Sequence, residues 1–179
     1  FAQITFCNFI MKILLVCVGK TTVPYFATAI DVYIKRLKHY VAFDMVCLPD
    51  VKTAKSLPEQ NLKNQEGEAV LKQIENGDVM ILLDNNGVEF SSVEFSKWLQ
   101  EKELRSVKRV VFVIGGAFGF SEAVYRRADS LFSLSRMTFS HQMIRPIFVE
   151  QLYRAMTIIK GEAYHHEDTL WQKSYNRMK

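Results

Sequence analysis

A chain of 179 residues, nearly half of them apolar and 23% charged, suits one ordered domain with its own core and excludes a disordered or fibrous protein. The net charge of +4 is modest but unevenly placed: residues 1–104 carry 11 basic and 13 acidic side chains, and residues 105–179 carry 12 and 6. Eight of the nine arginines lie in that second part, where an anionic partner such as RNA and a plain solvated basic surface are both open readings.

The first 18 residues, "FAQITFCNFIMKILLVCV", have the hydropathy of a signal or membrane segment, but Lys12 interrupts the run and no basic region precedes it. The fold is expected to start at Met11, with residues 1–10 an extension outside it. "MKILLVCV" (Met11 to Val18) then reads as a buried strand closed by Gly19. Ile30, Tyr33, Ile34, Leu37 and Tyr40 recur at helical spacing, predicting a helix over 27–40. "VAFDMVCL" (Val41 to Leu48) alternates like a second strand. Residues 51–61 are polar and read as a mobile loop, followed by a helix over 62–75.

"DVMILLD" (Asp78 to Asp84) is a third strand, and Asn85-Asn86-Gly87 signals a turn at its end. Ser91 with Glu94 three residues on forms a capping box, predicting a helix from about Ser92 to Glu103. Val110 to Ile114 is a fourth strand, Glu122 to Ala128 a short helix and Ser130 to Ser135 a fifth strand. Ile144, Phe148, Leu152, Ala155, Met156 and Ile159 draw an apolar stripe on a long last helix that ends before Gly161. Alternating strands and helices predict an α/β fold, a parallel-type sheet covered by helices on both faces. Ligands bind such sheets beyond the carboxyl ends of the strands, which brings Leu83-Asp84, Gly115-Gly116 and Ser135-Arg136 to one edge.

Gly115, Gly116 and Gly119 follow the fourth strand as GGxxG, which is neither the dinucleotide fingerprint nor a P-loop. What the glycines permit is close approach of a ligand to the backbone. Further on, Thr138 and Ser140 are candidate N-caps of the last helix. Arg145 and Arg154, nine residues apart, are about two and a half turns from one another and cannot share a helix face. Glu150 and Arg154 form an i,i+4 pair of the kind found on surfaces. His165 and His166 are adjacent and have no Cys or third His nearby, so zinc is poorly supported. Cys7, Cys17 and Cys47 lack any metal or disulfide spacing and read as reduced core residues of a cytosolic protein.

Six segments in order, "KILLVCVGK", "EGEAVLKQI", "LLD" (Leu82 to Asp84), "FVIGGAFGFS", "SLSRMTFSHQMIRPIFVEQLYRA" and "YHHE", make residues 11–167 resemble the RlmH (YbeA-like) family. These are SPOUT-class pseudouridine N3-methyltransferases of bacterial 23S rRNA. The resemblance implies a single SPOUT domain over 11–167 whose C-terminal segment forms a deep trefoil knot, a rare departure from unknotted topology. It implies S-adenosylmethionine bound by Leu83, Gly116 and the segment Ser135, Arg136, Met137, Thr138, Phe139 and Ser140. It places His141, Arg145, Arg154, Tyr164 and His165 near the target nucleotide. It implies a cytoplasmic homodimer acting on the ribosome, away from any membrane and without a metal. Ala117-Phe118 and Ser140 depart from the more polar or proline-containing residues common in relatives, which bears on the shape of the pocket. Residues 168–179 form a tail past the usual family end, with no role implied.

Methyl transfer from a sulfonium depends chiefly on alignment, and the weakly acidic N3–H of a uracil-type ring benefits from a base or from donors to its flanking carbonyls. On that chemistry Arg145 or Arg154 would meet RNA phosphate or a developing oxyanion, and His141, Tyr164 or His165 would take the proton. The last helix, packed on its symmetry mate, would explain its apolar stripe. Two readings of other classes stand beside this one: a nucleotide- or S-adenosylmethionine-binding regulatory module without catalysis, and a passive RNA-binding protein.

Overall fold

The computed structural model describes residues 10–51 and 57–162. Five strands, β1 (Lys12–Val18), β2 (Ala42–Leu48), β3 (Val79–Glu89), β4 (Arg109–Ile114) and β5 (Ser130–Ser133), alternate with five helices. The helices are α1 (Pro24–Leu37), α2 (Glu59–Leu71), α3 (Ser92–Leu104), α4 (Glu122–Arg127) and α5 (Ile144–Ile159). Every neighbouring pair in the sheet runs parallel, in the order β2-β1-β4-β3-β5. The α/β class and its all-parallel sheet are as the alternating pattern predicts. The expectations for residues 1–9, for the middle of the 51–61 loop and for the tail after residue 162 lie outside the described residues.

Why these residues make these elements is largely a matter of burial on two faces. β1 and β4 are central, so both faces of each are covered and their sequences are almost continuously apolar. On one face Ile13, Leu15 and Phe112 pack with Leu37 of α1, Leu99 of α3, and Phe148 and Leu152 of α5. On the other, Val16, Leu82 and Val113 pack with Val70 of α2 and Val124 of α4. α1 begins at Pro24, three residues before the apolar periodicity, because proline's fixed φ suits the first helical turn. α3 carries its capping box: Ser91 Oγ accepts from the Glu94 N–H at 3.2 Å, and the Glu94 carboxylate accepts from the Ser91 N–H at 2.7 Å.

Three expectations change. Asn85-Asn86-Gly87 does not end β3; the strand resumes, and both Leu83 and Val88 pair with Phe132 of β5, so residues 84–87 bulge out of the ladder. A Cβ on Gly87 would stand 2.5 Å from the Phe132 backbone nitrogen, so the approach of the two backbones requires glycine there. The apolar stripe of α5 is used on its own sheet, where Phe148, Leu152 and Ala155 are fully buried, and therefore does not by itself call for a second subunit. Cys17 is a buried core residue as expected, but Cys47 is exposed on the edge strand β2.

Candidate active site

Beyond the carboxyl ends of β3, β4 and β5 lies a cavity of about 490 Å³, within the range of small-molecule sites. Its walls come from three loops distant in sequence: Leu83 to Asn85 from the bulge, Ile114 to Phe120 around the glycines, and Phe132 to Ile144 ahead of α5. Leu83, Asp84, Gly115, Gly116 and Ser135 line it, so the juxtaposition expected from topology is realised for these, and Met137, Thr138, Phe139, Ser140 and His141, which the resemblance singles out, line it too. Arg136, expected in the same group, is not among the lining residues. Its side chain is 90% exposed and loosely paired with Glu89 at 3.6 Å.

The pre-helical segment is shaped by its own hydroxyls. Ser133 Oγ donates to the Ser135 carbonyl at 2.9 Å, and Ser135 Oγ accepts from the Met137 N–H at 2.9 Å. Ser140 Oγ accepts from the Met143 N–H at 3.2 Å, supporting the turn that leads into α5, while Thr138 borders the cavity. Gln142 then clips this segment to the loop after β1, donating to the Lys20 carbonyl at 2.8 Å and accepting from the Thr22 N–H at 3.0 Å.

Among the described lining residues Asp84 is the one carboxylate, and none is a lysine or arginine. Tyr125 donates to Asp84 Oδ2 at 2.6 Å, and burial together with that bond pushes the phenol up to about 12, so it stays a donor at neutral pH. A cavity with apolar walls, hydroxyls and one carboxylate but no cation is a poor place for phosphate and a suitable one for a neutral or cationic ligand. His141 borders this space half-buried. Burial and the nearby Arg145 guanidinium lower its pKa, so the imidazole is neutral at pH 7 and able to accept a proton.

Arg145 is not the phosphate-facing cation that its position in the sequence suggests. It is fully buried, and its guanidinium donates to the carbonyls of Val18 at 2.6 Å, Gly19 at 3.0 Å and His141 at 2.9 Å, and to Thr21 Oγ1 at 2.9 Å. It thus ties the end of β1 to the first turn of α5 and holds the turn bearing His141. Arg154 pairs with Glu150 at 2.6 Å, but the pair is half-buried where a surface pair was expected. Tyr164 and His165 lie outside the described residues.

One group escaped the sequence reading although it sits in a quoted motif. Glu66, in the "EGE" of α2, directs its carboxylate at Gly116 from below: a Cβ there would lie 2.6 Å from Oε2. Oε2 is buried without a hydrogen-bond partner, and burial, then the neighbouring Asp50, raise the Glu66 pKa. Helical periodicity treats such a residue as one more polar position, and only the sheet's topology shows that it meets the glycine turn.

A parallel α/β domain with a cavity of cofactor size beyond the carboxyl ends of its strands, walled by the segment before its last helix, is the class that fold and site define. The family model described as Predicted SPOUT methyltransferase matches residues 11–165. The chain is 54% identical over 157 residues to the Ribosomal RNA large subunit methyltransferase H of Parabacteroides distasonis, an alignment covering 88% of this chain and 100% of that protein. It is 52% identical to the protein of the same name from Bacteroides fragilis, over 88% of this chain and 100% of that one. It is also 52% identical to that of Christiangramia forsetii, over 87% and 99%. The chain belongs to the SPOUT methyltransferase family.

Proposed function

We propose that this protein transfers a methyl group from S-adenosylmethionine to N3 of a pseudouridine in 23S rRNA of the large ribosomal subunit. The observation that carries the reading is the cavity: seven of the eight residues expected to hold the cofactor, all but Arg136, line one space, and the charge of its described lining suits a sulfonium rather than a phosphate. Leu83 and Phe132 supply apolar surface for a purine, the hydroxyls of Ser135, Thr138 and Ser140 supply polar contacts, and Asp84 offers the complement to positive charge. Bound there, S-adenosylmethionine supplies an electrophilic methyl whose departure leaves a neutral thioether.

His141 takes the proton from N3 of the target ring, as a neutral imidazole at the cavity's edge, while Arg145 acts through it as a positioning residue. The exposed guanidinium of Arg136 is placed to meet RNA phosphate, and Arg154, Tyr164 and His165 complete the nucleotide's surroundings. A homodimer is favoured by exposed Phe118, Met137, Phe139 and Met143, which leave apolar surface around the cavity mouth for a second copy to cover. The target fixes a cytoplasmic location; no helix among the described residues is long and apolar enough to cross a membrane.

Tritiated S-adenosylmethionine and ribosomes lacking the modification are expected to yield a label that maps to one pseudouridine by nuclease digestion and mass spectrometry. Cofactor binding without transfer would replace this reading with a regulatory module, and RNA binding without cofactor with a passive binder. His141→Ala is expected to lower turnover by about 10²–10⁴-fold with cofactor affinity, measured by calorimetry, within a few-fold of the parent. Unchanged turnover would remove His141 from the proton's path.

A further inference from the structure

Cys17 and Cys47 face one another across the β1–β2 ladder, in direct register. Neighbouring strands stand about 4.8 Å apart, inside the Cα separation of about 4.4–6.8 Å that a disulfide spans. In-register residues of neighbouring strands project to the same face of the sheet, and each thiol is the largest influence on the ionisation of the other. β2 is an edge strand, free on its other side to make the small adjustment a covalent bond needs. The two thiols differ in access: Cys17 is fully buried and Cys47 is exposed.

We propose that Cys47 and Cys17 form a redox-active dithiol, with Cys47 the thiol attacked first by a hydroperoxide and Cys17 the one that resolves it into a disulfide. The surroundings suit those roles. The hydrogen bond with Cys17, the Arg145 guanidinium and hydrogen bonds with Thr21 bring Cys47 down to about 6, against the opposing effect of its partial burial. The neighbouring Cys47 and burial hold Cys17 well above the usual thiol range, so it stays protonated.

In the first step Cys47 Sγ attacks a peroxide oxygen, the O–O bond breaks and Cys47 becomes a sulfenic acid. In the second, Cys17 Sγ attacks Cys47 Sγ, the S–O bond breaks, and the departing hydroxide takes the Cys17 proton as water. Two thiols lose two electrons in all, and the peroxide is reduced to water or to water and an alcohol. The same Thr21 hydroxyl that faces Cys47 accepts from Arg145, so the dithiol is joined to the brace beneath His141.

The full chain should be exposed to hydrogen peroxide, alkylated, digested with trypsin and mapped without reduction. The expected product is "ILLVCVGK" joined to "HYVAFDMVCLPDVK", with a loss of two mass units, reversed by dithiothreitol and formed equally in Cys7→Ser. Cys17→Ser should react at Cys47 at a similar rate and stop at sulfenic and then sulfinic acid. Circular dichroism before and after oxidation would establish that the fold persists. A folded protein in which Cys47 and Cys17 both remain alkylatable, or in which Cys47 over-oxidises while Cys17 stays free, would overturn the proposal, as would preferential linkage to Cys7.

Discussion

The two ends of the sheet are built differently. At the amino ends of the strands the polar groups are paired: Arg109 at the start of β4 grips Asp78 through two bonds, of 2.5 and 2.8 Å, and reaches the Gln73 carbonyl at 3.1 Å. Arg127 donates to the Asp78 carbonyl at 3.0 Å, and Asp129 accepts from the Met80 N–H at 2.7 Å. At the carboxyl ends lie the cavity, the unpartnered Glu66 Oε2 and a buried Ser121 Oγ that also lacks a partner. One end spends its polar groups on holding strands together, and the other keeps some unpartnered near the cavity.

The largest expected effect tests the exception to that contrast. Arg145 is at the cavity end, yet each of its three guanidinium nitrogens donates a hydrogen bond, so Arg145→Met would strand the carbonyls of Val18, Gly19 and His141 and cost about 4 kcal/mol. Urea unfolding followed by circular dichroism measures it. Arg145→Lys, which retains the charge but cannot reach all the acceptors, should recover only part of the loss. A loss below about 1 kcal/mol in the Met variant would mean that water replaces the guanidinium and that α5 is not braced through this residue.

Next comes the amino end. Asp78 is almost fully buried, and although burial alone would raise its pKa, the bonds from Arg109 and the Glu75 N–H hold it below the usual carboxylate range. A depressed pKa in the folded state stabilises above the unfolded value, near 4 by reference, and that contribution is lost as pH falls through the folded value. Asp78→Asn should therefore cost about 3 kcal/mol at pH 7, with a smaller penalty in acid, and leave cofactor affinity of the folded protein unchanged. Equal penalties at pH 7 and pH 3 would show that the pair acts through packing alone.

The same contrast explains what could be read from the sequence. Strands buried on both faces and helices with one apolar face leave unambiguous patterns, so β1, β4, α3 and α5 are legible, as is the meeting of Leu83-Asp84, Gly115-Gly116 and Ser135 at one edge. The bulge at 84–87 was not, because Asn-Asn-Gly signals a change of backbone direction without saying whether the strand resumes. Arg145 was misjudged for a related reason: an arginine in a basic, helix-starting segment looks like a phosphate ligand. Nothing local says that the Val18 and Gly19 carbonyls, over 120 residues away, lie within its reach. Glu66 and Cys47 needed the strand order itself, the first to reach Gly116 and the second to show an edge.

The smallest effect is the sharpest test, because its sign is opposite. Burial and Asp50 raise the Glu66 pKa, so its contribution to stability is present below the unfolded value and lost as pH rises through the folded one. Oε2 is held without a hydrogen-bond partner against the glycine turn, which disfavours the ionised form. Glu66→Gln removes the charge and keeps the shape. Because the group is only partly buried, the gain is expected to be no more than about 1 kcal/mol at pH 7.5, and to vanish near pH 4, where the parent is protonated. Where Asp78→Asn weakens the protein and spares cofactor binding, Glu66→Gln should strengthen it slightly, with methyl transfer followed on the same preparation. A variant that is both less stable and fully active would show that Glu66 is an ordinary structural acid, and that the two ends of the sheet do not divide their work in this way.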